Sequence, residues 1–79
     1  MEDVVISRHL SRRKAREQEN KLQGMLDDRD RLKLGSRDRI EISDRLIKIG
    51  VPALAHGVKV ERRLWGFQWQ VVATEERGH

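Results

Sequence analysis

The period of the apolar positions changes along the chain, and the changes divide it into elements. Between residues 8 and 33 there is no proline and one glycine, Gly24, the composition of a helix with a single weak point. Placed at about 100° per residue, Ala15, Gln18, Leu22, Met25, Leu26, Arg29 and Leu32 fall within about 120° of one another, the width of an apolar helix face. Lys33 in the last turn and Gly35 just beyond mark the end of this helix. Gly24 admits a bend or a close helix crossing.

A second helix is expected over 37–49. Ser36 is its N-cap, Asp38 suits the dipole of its first turn, and Gly50 with Pro52 beyond supplies the stop. Ile42, Leu46 and Ile49 share one face while Ile40 and Ile47 lie opposite, which predicts a helix sandwiched in the middle of a small core. The alternation Arg39-Ile40-Glu41-Ile42 offers strand as a competing reading of its beginning.

From Gly57 the period becomes two. If Trp65-Gly66 is the turn of a hairpin, Leu64 faces Phe67, Arg62 faces Trp69 and Val60 faces Val71, leaving one face apolar apart from Arg62. Trp69 and Arg62 are then placed for a cation–π pair. Trp65 points to the opposite face. An isolated hairpin is marginal in water, so the apolar face must pack on the helices. The fold class expected is therefore α+β: a long amphipathic helix, a shorter second helix and a C-terminal antiparallel hairpin, in one small domain with 1–7 and 74–79 frayed.

Composition limits what such a module can be. Of 79 residues 29 are apolar and 30 charged, so any core is thin and a small domain of this kind is marginally stable alone. There are no cysteines, and His9, His56 and His79 have no metal-ligand spacing, so neither disulfides nor a zinc site is expected as a staple. The expected supplement is a second chain, a homodimer joined through Leu22, Met25, Leu26 and Leu32. The start of the chain is neither a signal nor a transit peptide and no apolar run spans a membrane, so a cytoplasmic protein without membrane contact is expected.

The net charge of +4 comes from 12 arginines against 5 lysines, and arginine favours bidentate contact with phosphate or carboxylate. Arg8, Arg12 and Arg16 stand at i, i+4 and i+8, with Arg13 and Lys14 beside them, and on a continuous helix would form one ridge. Such a ridge repels itself and opposes the helix dipole, a cost that an anionic partner reverses. Arg62, Arg63 and Trp65 form a second candidate contact at the hairpin tip. The charges of Asp27–Arg31 and Arg37–Arg39 alternate, and read as a solvated surface.

No glycine-rich phosphate loop occurs, and no Ser or carboxylate forms a recognisable unit with a His, so no catalytic role, cofactor or small-molecule substrate is expected. The basic run with its spaced leucines differs from a basic leucine zipper in having fewer than three heptads and no asparagine and alanine pattern. A helix followed by a hairpin is similar, as a fold, to a winged helix, although a complete one has three helices. The leading expectation is a small basic nucleic-acid-binding regulator of the kind encoded by phages and mobile elements. The alternative is a stoichiometric inhibitor or adaptor that docks the same arginines on an acidic surface of a larger protein.

Overall fold

Ser11 decides where the first helix begins. Its backbone is extended (φ −119°, ψ 144°) and its Oγ accepts the amide hydrogen of Lys14 at 3.1 Å, so α1 runs Arg12–Arg31. The residues before it form strand β1 (Glu2–His9). In this computed structural model, which describes residues 2–62 and 68–75, helix α2 (Arg37–Ile49) and strands β2 (Ala55–Arg62) and β3 (Trp69–Glu75) complete the chain. Residues 2–7 are thus not frayed, and Thr74 and Glu75 belong to β3. Antiparallel pairing with β3 holds β1 along its length, from Glu2 opposite Glu75 to His9 opposite Trp69.

The sheet order is β1-β3-β2, with both outer strands antiparallel to β3. The hairpin register is the expected one: Val60 faces Val71 and Arg62 faces Trp69. The turn between them, with Leu64, Gly66 and Phe67 and with the candidate residues Arg63 and Trp65, lies outside the described residues. The α+β class holds, but the third strand separates this architecture from a helix-plus-hairpin.

One face of the sheet meets α1. Leu22, Leu26 and Ala15 of α1 are fully buried against Val71, Ala73 and Ala55, with Leu46 and Val51 completing the cluster and Ile6, Val58, Val60 and Trp69 packed at its margin. This corrects the expected dimer interface. Leu22 and Leu26 are covered by the chain's own sheet, and only Met25 and Leu32 stay half-buried, on the floors of grooves between α1 and α2. Burying these leucines takes roughly 1.5–3 kcal/mol each out of water, which is how so short a chain finds its core.

α2 matches its expected bounds, with Ser36 Oγ accepting from the Arg39 amide at 3.3 Å and Gly50 in the left-handed region (φ 111°). It is not sandwiched. It packs on α1 through Leu46 and Ile42, and Ile40 and Ile47 face solvent because no third layer covers them.

Two polar contacts fix the remaining joints. Arg29 is buried, yet its guanidinium is satisfied: Nη2 donates to the Ala55 carbonyl at 2.8 Å, Nη1 to Ala53 at 3.4 Å, and Nε to Asp30 at 3.0 Å. That pins the α2–β2 connection onto α1. Gln23 covers the outer edge of β2, its Oε1 accepting the Val58 amide at 3.1 Å, and a Cβ at Gly57 would meet that oxygen at 3.3 Å.

On the sheet face away from α1, Lys59 reaches across Val72 to Asp3 at 3.3 Å and along its own strand to Glu61 at 2.9 Å. The lysine stem helps to cover Val72, which is buried although no helix lies over it. Hydrogen bonds to Glu61 and then to Asp3 raise the Lys59 ammonium above its ordinary value of 10.5. A raised folded value means that the contribution is complete below the unfolded pKa and is lost as pH rises through the folded one. The stability difference between wild type and Lys59→Met should therefore be constant from about pH 6 to 9 and shrink above about pH 10.5 in urea titrations; a difference that grows at alkaline pH would contradict the ion triad.

Gly24 lies within α1 and meets no other helix; it is exposed, and an added Cβ would touch nothing within 4 Å. Gly24→Ala should accordingly stabilise the fold by about 0.8–1 kcal/mol, read as a rise of roughly 4–8 °C in melting temperature; no rise would mean that the glycine is held by something other than helix propensity.

Candidate functional site

The strand β1 breaks the expected arginine ridge. Arg8 lies in β1 opposite Gln70, on the sheet face away from α1, whereas Arg12 and Arg16 remain one turn apart on α1. The physical reason is Ser11: a cap with extended backbone cannot continue a helix back to residue 8. What the fold assembles instead is a different cluster.

At the end of the sheet where α1 begins, His9, Trp69 and Arg62 form one cross-strand row, since Trp69 is paired with His9 on one side and with Arg62 on the other. Arg12, in the first turn of α1, comes over the same indole. The guanidinium carbons of Arg12 and Arg62 lie 5.7 and 5.8 Å from the Trp69 ring centroid, within cation–π reach. Residues 50 positions apart in sequence thus share one aromatic ring. His9 is held by a 2.8 Å hydrogen bond between its Nε2 and Ser7 Oγ.

The charge balance sharpens around this ring. α1 has no acidic residue in its first turn, so Arg12, Arg13 and Lys14 stand at the positive end of the helix dipole with only Ser11 to satisfy an amide there. Further along, Glu17 pairs with Arg13 at 3.5 Å and with Lys14 at 3.8 Å, and Glu19 pairs with Arg16 at 3.7 Å. Among the described residues Arg8, Arg12 and Arg62 enter no ion pair. Exposed pairs of this kind are weak and exchange readily with a competing anion. Arg8, Arg12 and Arg62 are therefore the unpaired cations among the described residues at this end of the molecule, with Arg13, Lys14 and Arg16 available by exchange.

The structure thus joins the two features that the sequence presented separately, the basic helix start and the hairpin. Trp69, assigned from the sequence to the apolar face alone, is both a core residue and the platform for two cations. The parity that placed Arg62 opposite Trp69 was visible in the alternation. Arg12 was not, because its approach depends on where α1 starts.

Of the concave regions one is basic: Lys21, Arg45 and Lys48, none of them in an ion pair among the described residues, line a groove with Met25 and Ile49. The groove between α1 and α2, about 530 Å³, is lined by Asp28, Arg31, Asp38, Glu41, Ile42 and Arg45, and its acids Asp28 and Glu41 are tied to Arg31 and Arg37. Asp30, Ser43 and His56 line another cavity but share no hydrogen bond among the described residues. No group of His, Asp and Glu among the described residues could hold a metal ion, and no helix among them is long and apolar enough to cross a membrane. Compared with protein-family models, curated proteins and solved structures, the chain matches none.

If Trp69 holds the two guanidiniums, the contact is measurable without a ligand. A double-mutant cycle between Arg12→Ala and Trp69→Leu, read by urea unfolding, should give a coupling of about 0.5–1 kcal/mol, and the Arg62→Ala cycle the same; coupling indistinguishable from zero in both would show that the cations are not held on the ring.

Proposed function

We propose that this chain is a small nucleic-acid-binding regulator that grips the phosphate backbone with the end of the molecule where α1 begins and β2 ends. The observation that carries the reading is the convergence of Arg12 and Arg62 on Trp69, two guanidiniums with no carboxylate partner among the described residues, at a helix start free of acids. Guanidiniums are suited to phosphate because their fork donates to two oxygens at once. With both cations over the ring, less of the Trp69 surface is open for base stacking. Contact through backbone phosphates, independent of base sequence, is the consequence. Arg8 extends the contact along the outer sheet face, and Arg13, Lys14 and Arg16 join by releasing Glu17 and Glu19.

A second reading draws on those same ion pairs. Because Arg13, Lys14 and Arg16 are already neutralised, the unpaired cations at the end where α1 begins are few, which suits a compact acidic patch on another protein better than a long phosphate track.

Salt separates the two. With nucleic acid, Arg12→Ala and Arg62→Ala should each weaken binding to unrelated duplexes by similar factors and flatten the slope of log affinity against log salt by about one unit, measured by fluorescence anisotropy. Arg13→Ala should have a smaller effect, since its ion pair must first break. Absence of any duplex or single-strand binding at about 50 mM salt would overturn the nucleic-acid reading and leave the acidic-protein one.

A further inference from the structure

The outer side of α2 is uncovered, and its residues are ordered in a way that complements itself. Ile40 and Ile47, each 52% exposed, stand seven residues apart on one line of the helix. Ser43, about one turn from both, lines the same cavity as Leu34 and Leu54, which are 81% and 65% exposed. Ile40 and Ile47 are thus two exposed aliphatic side chains on one helix line, with Leu34 and Leu54 about a cavity that begins one turn away at Ser43, and apolar surface of this kind on small proteins marks interaction sites.

Charge identifies the occupant. Positions 37, 40, 44 and 47 have the spacing of a single packing seam on a helix, and they read Arg, Ile, Asp, Ile. Asp44 makes no ion pair among the described residues, and Arg37 holds Glu41 only at 3.5 Å with its side chain 91% exposed. If a second α2 is laid antiparallel on the first, with a two-fold axis beside Ile40, Arg37 comes opposite the partner's Asp44 and Asp44 opposite the partner's Arg37. The two Ile40 side chains meet near the axis, and Ile47 lies outside the two ion pairs at each end of the contact. A parallel arrangement would instead set Arg37 on the partner's Arg37. The stripe carries its own complement only in the antiparallel sense, which is the requirement of an isologous interface.

We propose that this chain forms a two-fold homodimer through the outer face of α2, with reciprocal Arg37 and Asp44 ion pairs on either side of an Ile40 contact and Ile47 closing each end. The interface is independent of the phosphate-binding reading, since it shares no residue with the Trp69 cluster. It also replaces the leucine stripe of α1, which is buried within one chain.

The test is the mass of the full chain in solution by sedimentation velocity from about 1 to 200 µM, a range that spans the affinities of small interfaces. The wild type should pass from one to two chains with increasing concentration. Arg37→Asp and Asp44→Arg should each raise the dissociation constant about tenfold or more, because each sets like charges opposite one another. An equimolar mixture of the two single variants should recover the dimer, since each then supplies what the other lacks, and so should the double variant. Ile47→Gln, at an exposed position, should dissociate the dimer while circular dichroism stays native, so the result does not depend on the charge variants folding. A wild type with the mass of one chain throughout, a dimer indifferent to these changes, or single variants that neither mixing nor recombination restores would each overturn the proposal.

Discussion

The whole arrangement depends on β3 finding a place between two strands that cannot pair with each other. β1 is the first element of the chain and β2 the fourth, and both are bound to β3 and to nothing else in the sheet. A hairpin of β2 and β3 alone would leave β1 without a partner, and Val4 and Ile6 without the sheet they extend. Pairing of Glu2 with Glu75 also means that the earliest and latest described residues must meet before the sheet is complete. Such long-range pairing is paid in loop-closure entropy before it is rewarded, so the two helices and the hairpin are the local structure from which it can start.

Within that frame a few polar groups do what a larger core does elsewhere. Arg29 occupies a position on the apolar face of α1, and in a bigger protein a leucine would serve. Here the guanidinium satisfies the carbonyl of Ala53 in the connection before β2 and that of Ala55 at the first residue of the strand. Arg39 does the same for the end of α1, donating to the Leu32 carbonyl at 2.9 Å. Among the described residues no buried side-chain nitrogen or oxygen lacks a partner. The high charge content is thus partly structural: some arginines tie the fold together, and only the remainder are free to meet a partner.

How much of this was legible in the sequence follows from how local each signal is. The bounds of α2 were readable because Ser36, Asp38 and Gly50 act within one turn of the helix ends. The register of β2 on β3 was readable because alternation has only two phases, and one of them puts Val58, Val60, Val71 and Ala73 together. The buried face of α1 came from its period, down to Arg29. β1 was not readable, because Val4-Val5-Ile6 is a short apolar run without alternation whose partner lies some 65 residues away. Missing it moved the start of α1 forward and produced a ridge containing Arg8. The two-sided apolarity of α2 was read correctly, but its cause was not: a face opposite the core implies a covering layer, and the chain itself supplies none.

The basic end then takes on a different meaning from a simple charge run. Three cations in the first turn of a helix, with no acid among them, oppose the dipole and one another, and each unfavourable contact costs a few tenths of a kcal/mol or more. The fold offsets the cost in two ways. Glu17 and Glu19 neutralise the cations that point along the helix, and Trp69 takes the two at the sheet end by an attraction that removes none of their charge. An ion pair and a cation–π contact are not equivalent here. The first cancels the field that an anion would feel, whereas the second restrains the guanidinium and leaves its N–H donors unspent. Arg12 and Arg62 are thereby partly ordered before any partner arrives, which lowers the entropy lost on binding without lowering the potential that attracts the ligand.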